Sequence, residues 1–243
     1  MNAAAIPRRE RLIVALDVPT AGEARAFAQK LGDSACFYKI GLELFTAGGC
    51  FDLIEWLVRR GNRVFVDLKF YDIPETVRRA VANLRGRGVT FATVHGNRSI
   101  MEAASREKGD LKILAVTVLT SFGPSDLAEL GYAGEVEQLV LARARGALGA
   151  GCDGVIASGL EAPALRAAFG RRLLIVTPGI RPTAQGGPSV QRPADDQKRT
   201  VDVAQAFANG ADHIVVGRPI RDAADPRAAA EAIQQTIAEI FPD

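Results

Sequence analysis

The chain has 243 residues, 48% of them hydrophobic, and 30 Lys and Arg against 28 Asp and Glu leave a formal net charge of +2. That length fits one large domain, and near-neutral charge without a dense Lys/Arg block argues against a nucleic-acid footprint. No apolar stretch approaches the ~20 residues that span a bilayer, MNAAAIPRRER leads into no signal-peptide h-region, and Cys36, Cys50 and Cys152 lack CxxC spacing, so a reducing, cytoplasmic setting without disulfides or zinc is expected.

Short apolar runs then alternate with amphipathic segments. RLIVALD (11–17) reads as a strand and AGEARAFAQKLG (21–32) as a helix; FYKIGLEL (37–44) and FDLIEWLVRRG (51–61) repeat the pair. VFVDLKF (64–70) precedes PETVRRAVANLRGRG (74–88), FATVHG (91–96) precedes IMEAASREKG (100–109), and KILAVTVL (112–119) precedes a helical stretch ending in EVEQLVLARARGALGAG (135–151). GVIASG (154–159) leads to APALRAAFG (162–170), LLIVTPGI (173–180) to VDVAQAFANGA (201–211), and HIVVGRPI (213–220) to PRAAAEAIQQTIAEIF (226–241). The runs are Val/Ile/Leu-rich on both faces, as parallel strands covered on both sides must be. Gly61, Gly88, Gly109, Gly151 and Gly170 stand where helices need a left-handed end. Eight strand–helix pairs at this length predict an α/β fold, a single (β/α)8 barrel over residues 1–243. The longest irregular stretch, 181–199, is unusually long for a compact barrel and reads as a functional lid or a disordered segment.

In such a barrel the active site lies at the C-terminal ends of the strands. The polar residues ending the apolar runs are Asp17, Lys39, Asp67 and Lys69, His95, Thr120 and Ser121, Ser158, then GIR at 179–181 and GR at 217–218. Strand side chains alternate, so Asp67 and Lys69 share the inward face while Leu68 points to the helices. Asp72 follows just beyond the strand. Lysines and carboxylates meeting at one mouth are costly unless paired, and alternation would keep the lysines protonated. Phosphate commonly binds after strands seven and eight of these barrels, where TPGIRP and VVGRPI offer glycine backbone plus Arg181 and Arg218. His95 and His213 read as buried structural histidines, and Trp56 as core. A metal-assisted sugar-phosphate decarboxylase or aldolase, with Glu43 as an added acidic ligand, and a noncatalytic phosphate-binding barrel stand as alternatives.

DLKFYDIPETV (67–77) resembles the D-x-K-x-x-D signature of the orotidine 5'-phosphate decarboxylases, and ALDV (15–18), YKIG (38–41), TVHG (93–96), VTVLTS (116–121), TPGIRP (177–182) and VVGRPI (215–220) follow in that family's order. The resemblance implies decarboxylation of orotidine 5'-monophosphate to uridine 5'-monophosphate in de novo pyrimidine biosynthesis, with no cofactor and no metal. It implies Lys69 as proton donor to C6, Asp67 against the departing carboxylate, and Lys39 with Asp17 on the ribose. Asp72 would enter the site of a partner subunit in a homodimer, and Ile73 and Thr76 of the same segment would contact substrate. Thr120 and Ser121 would face the pyrimidine, while Pro178, Arg181, Gly217 and Arg218 would complete the phosphate end. The 181–199 loop would grip the phosphate through Gln197, with Gln185 as rival; Glu75 stands where the family usually has asparagine and is expected to serve as a helix-start residue.

Overall fold

In a computed structural model, which describes residues 6–182 and 199–242, eight parallel strands close into a barrel in chain order. They are β1 (Leu12–Ala15), β2 (Phe37–Ile40), β3 (Arg63–Phe70), β4 (Val89–His95), β5 (Lys112–Val116), β6 (Gly154–Ile156), β7 (Leu174–Thr177) and β8 (His213–Val216). The helices are α1 (Ala21–Leu31), α2 (Leu42–Thr46), α3 (Cys50–Arg59), α4 (Pro74–Ala82), α5 (Arg98–Arg106), α6 (Pro124–Glu129), α7 (Val136–Gly149), α8 (Ala162–Phe169), α9 (Val203–Ala208), α10 (Arg218–Arg221) and α11 (Pro226–Ile240). Pairing of β1 with β8 closes the ring, with Leu12 opposite Ile214 and Val14 opposite Val216.

The predicted pairs are all present, but several ends differ. Strands stop earlier than their apolar runs: β1 at Ala15, β2 at Ile40 and β5 at Val116. GLEL turns into α2 and RPI into α10, because past the barrel rim no neighbouring strand remains to take the backbone hydrogen bonds. Helix α4 ends at Ala82 rather than running to Gly88; the turns that follow use Gly86 and Gly88 at φ 76° and 75°, which a helix cannot hold. Glu75 does lie in the first turn of α4, where Arg78 and Arg79 bond it and hold its carboxyl down at about 2.

Side chains alternate along each strand between two apolar layers. Leu12 and Val14 face the helices, while Ile13 and Ala15 face the barrel interior with Phe37, Phe65, Phe91, Leu114 and Val215. The Phe37 and Phe91 ring centroids are 5.1 Å apart, and His213 sits edge-on to Phe91 at 5.2 Å. His213 is the buried structural histidine expected: its Nδ1 donates to the Glu10 carbonyl at 2.8 Å, and burial pushes the imidazole down to about 4. His95 departs from that expectation. It is half-buried at the end of β4, its ring tilted at 44° to the Tyr71 ring with centroids 4.6 Å apart. Trp56 packs half-buried against the core, with the Arg60 guanidinium 5.0 Å over its ring.

Candidate active site at the barrel mouth

The interior apolar layer forms the floor of a cavity of about 490 Å³, with Ala15, Phe65, Val116, Ile156 and Val215 at its base. Its walls carry the charges anticipated at the strand ends. Lys39 Nζ lies 3.1 Å from Asp17 Oδ1 and 3.7 Å from Asp67 Oδ2, and Lys69 Nζ donates to Asp67 Oδ1 at 3.0 Å. Acid and base therefore alternate, Asp17–Lys39–Asp67–Lys69, across β1, β2 and β3. Burial alone would push the Asp67 carboxyl up; Lys69, Lys39 and the hydroxyl of Thr93 outweigh it and hold Asp67 below the usual carboxylate range.

The pairing of Asp67 with Lys69 depends on a break in the sheet. Val66 pairs with Ala92 but Phe70 pairs with Val94, so β3 carries two residues more than β4 between those points. Lys69 absorbs the excess in the left-handed region, at φ 49°, a conformation costing a non-glycine residue about 1–2 kcal/mol. Thr93 holds it there: its hydroxyl accepts from the Lys69 backbone N–H at 2.9 Å and donates to Asp67 Oδ1 at 2.9 Å. A fully buried β4 hydroxyl thus orients the acid and the base together.

Two glycines close by leave room for these side chains. A Cβ on Gly41 would come 3.0 Å from Lys39 Nζ, and one on Gly217 would come 3.3 Å from Asp17 Oδ2. Thr120, Ser121, Pro178, Arg181, Gly217 and Arg218 all line the cavity, from beyond the ends of β5, β7 and β8. The Arg181 backbone is fixed by a hydrogen bond from its N–H to the Val201 carbonyl at 2.9 Å, part of a parallel bridge between Ile180 and Val201.

Asp72, Ile73 and Thr76 are not among the residues lining the cavity of their own chain. All three are exposed, and Asp72 Oδ1 accepts from the Ile73 N–H at 2.6 Å. Gln185, Gln191 and Gln197 lie outside the described residues. Glu43 does line the cavity, yet among the described residues no group of three or more His, Cys, Asp or Glu is placed to hold a metal ion.

Two lining or supporting groups were not singled out from sequence. Thr93 lay within TVHG, where its inward phase on β4 was the available signal. Arg221 lines the cavity one helical turn after Arg218 and donates to the Asp17 carbonyl at 2.9 Å while pairing with Asp222; i,i+3 spacing in a helix after β8 was its signal, hidden because that helix was read as strand.

A closed parallel barrel with paired lysines and carboxylates at its mouth, and arginine and glycine after β7 and β8 lining the same cavity, defines a (β/α)8 protein with a charged site at the C-terminal ends of its strands. Residues 10–233 match the model of the Orotidine 5'-phosphate decarboxylase / HUMPS family, and the chain belongs to that family. It is 59% identical over 236 residues to a protein of Methylococcus capsulatus named orotidine 5'-phosphate decarboxylase, covering 97% of this chain and 95% of that one. A Stenotrophomonas maltophilia protein of the same name is 54% identical over 242 residues, covering 98% of both. Among solved structures, the chain is similar to orotidine 5'-phosphate decarboxylase from Lactobacillus acidophilus, with a TM-score of 0.80 and 36% identity over 94% of this chain and 99% of that one. The corresponding enzyme from Pyrococcus horikoshii is similar at a TM-score of 0.73 and 28% identity, over 93% of this chain and 98% of that one.

Proposed function

We propose that this protein decarboxylates orotidine 5'-monophosphate to uridine 5'-monophosphate, a step of pyrimidine biosynthesis. Family membership and near-full-length relatives bearing that name support the reaction; the observation that carries the mechanism is the alternating Asp17–Lys39–Asp67–Lys69 chain on the cavity wall. The bond from C6 to the carboxylate breaks, carbon dioxide leaves, and the electron pair left on C6 takes a proton from the Lys69 ammonium. The ammonium stabilises charge only as it develops, which is what lowers a barrier. Asp67 acts on the ground state. A substrate carboxylate about 4 Å from it would be repelled by roughly 4 kcal/mol at an effective dielectric of 20, and the repulsion ends when a neutral molecule departs. No step in this scheme calls on a cofactor or a metal. Lys39 and Asp17 bind the ribose hydroxyls, Thr120 and Ser121 the pyrimidine, and Pro178, Arg181, Gly217 and Arg218 the phosphate end, with Gln197, outside the described residues, as a further ligand there. Loss of absorbance when purified protein meets orotidine 5'-monophosphate tests the reaction: turnover that survives exhaustive EDTA treatment is expected, and absence of turnover rejects it.

The working unit in this reading is a homodimer with shared sites. Its support is the exposed segment at 71–76, which bears Asp72 away from its own cavity and presents Tyr71 and Ile73 at 65% and 67% exposure. Asp72 completes the partner's charge network, and Ile73 and Thr76 meet the partner's substrate. Lys69→Ala and Asp72→Asn homodimers are expected to be nearly inactive. Co-expressed at equal levels, they should recover roughly a quarter of wild-type sites, because each hybrid has one doubly defective site and one intact site. Absence of recovery in a mixture shown to contain hybrids would return Asp72 to its own barrel.

A further inference from the structure

The Arg199 side chain joins strand ends that lie just behind the cavity wall. Its Nη1 donates to Glu161 Oε1, at the N-terminus of α8, and its Nη2 donates to the carbonyl oxygens of Leu119 at 2.9 Å and Val118 at 3.3 Å. Its own carbonyl accepts from Ser158 Oγ, beyond β6, at 3.3 Å. Both charged side chains are nearly out of solvent, 11% exposed for Arg199 and 6% for Glu161. A buried ion pair is a poor route to stability, because desolvation consumes most of its attraction. This one also leaves Glu161 Oε2 and Arg199 Nε without partners among the described residues. What the pair does supply is direction. A planar guanidinium fixed by a carboxylate presents a rigid fork of donors, here to two successive carbonyls. Those carbonyls belong to the segment 118–121, whose four residues all line the cavity.

We propose that Arg199, held by Glu161, is a positioning residue for the 118–121 wall, and that it governs recognition of the pyrimidine ring and not of the phosphate. The assignment rests on the nucleotide reading of the cavity given above. The phosphate side has separate support: Arg181 N–H bonds the Val201 carbonyl and Val201 N–H bonds the Gly179 carbonyl. Both are backbone bonds that do not need the Arg199 side chain.

The test compares two ligands that share a ribose phosphate and differ in the base. Calorimetric binding of uridine 5'-monophosphate and of ribose 5-phosphate is measured for wild type, Arg199→Ala, Arg199→Lys and Glu161→Gln, beside kcat/KM for orotidine 5'-monophosphate. Arg199→Ala is expected to weaken the nucleotide about tenfold, the low end of one lost hydrogen bond to a charged donor, and to leave ribose 5-phosphate unchanged. Misplacing the base by about 1 Å should lower kcat/KM about 10²-fold. Arg199→Lys should recover part of the loss. Glu161→Gln should lose less, and the double variant Arg199→Ala/Glu161→Gln should be no worse than Arg199→Ala, since Glu161 acts through Arg199. Equal weakening of both ligands, or an unchanged nucleotide affinity, would overturn the proposal. If Arg199→Ala fails to fold, Glu161→Gln carries the same comparison. Should wild type bind the nucleotide more tightly than ribose 5-phosphate yet fail to turn over orotidine 5'-monophosphate, the decarboxylase reading falls and the positioning role is still decided by the binding ratio.

Discussion

At the floor of the barrel, Phe37, Phe65, Phe91 and His213 point inward and exclude water. A few residues further along the same chain runs, Lys39, Asp67 and Lys69 line the cavity with charge. The two ends solve different problems with one backbone. At the floor, dispersion and area removed from water hold the strands together, and the single titratable ring there is kept neutral. At the mouth, the chain spends conformational strain on Lys69 and desolvation on Asp67 to place four charges in sequence. Stability is concentrated in one layer and chemistry in the next, so substitutions in the two layers should separate cleanly in what they damage.

Lys69→Ala should give the largest effect. In the proposed mechanism it removes the proton donor and the cation facing the developing carbanion, which should lower kcat by about 10⁴-fold or more. Circular dichroism melts should show a far smaller change, because Asp67 keeps Lys39 and Thr93 as partners. A variant that melted early and regained activity on cooling would place Lys69 in the structural layer.

Phe91→Ala at the floor should behave in the opposite way. A fully buried aromatic in contact with Phe37, Phe65 and His213 should cost about 3–5 kcal/mol in denaturant unfolding. Activity per folded molecule should stay near wild type well below the midpoint. A matching collapse of kcat in fully folded protein would mean that the floor also shapes the site.

A smaller contrast concerns pH. His213 titrates at about 4 in the fold, against 6.5 for the free side chain. Above pH 6.5 both states are neutral and the full stability is present. As pH falls below 6.5 the unfolded chain binds the proton first, so stability falls by up to about 1.4 kcal/mol per unit until about pH 4, on the order of 3 kcal/mol in all. Asp67, held below the usual carboxylate range, should stay ionised across that window. Urea midpoints measured from pH 7 to 4 should show the slope, and His213→Gln should flatten it. A profile unchanged by that substitution would assign the acid sensitivity to other groups.

Much of this was legible in the residues themselves. Apolar runs rich on both faces, separated by helical spacing, specify parallel strands under helices, and eight of them close a barrel because an open parallel sheet of that size would leave edges unpaired. Strand-end charges at Asp17, Lys39, Asp67 and Lys69 announced the mouth, since inward phase and fold position follow from period two. Glycines at the ends of helical segments marked turns, and the structure gives Gly61, Gly109 and Gly170 φ values of 77°, 57° and 58°.

Other features were settled by tertiary contact. Period two places Asp67 and Lys69 on one face only in a regular strand, and here the strand is irregular; Lys69 adopts φ 49° because β3 has a two-residue excess over β4 and because Thr93, 24 residues away, receives its N–H. Arg199 looked like the end of a polar loop. Its burial follows from Glu161 and from the Val118 and Leu119 carbonyls, about 40 to 80 residues distant in the chain. A local pattern encodes which residues can face inward, because backbone alternation and apolar burial act over a few residues. Which of them carry strain or form a buried ion pair is decided by partners that only the closed barrel brings within hydrogen-bond distance, since those bonds recover the desolvation and strain that the local sequence would otherwise refuse.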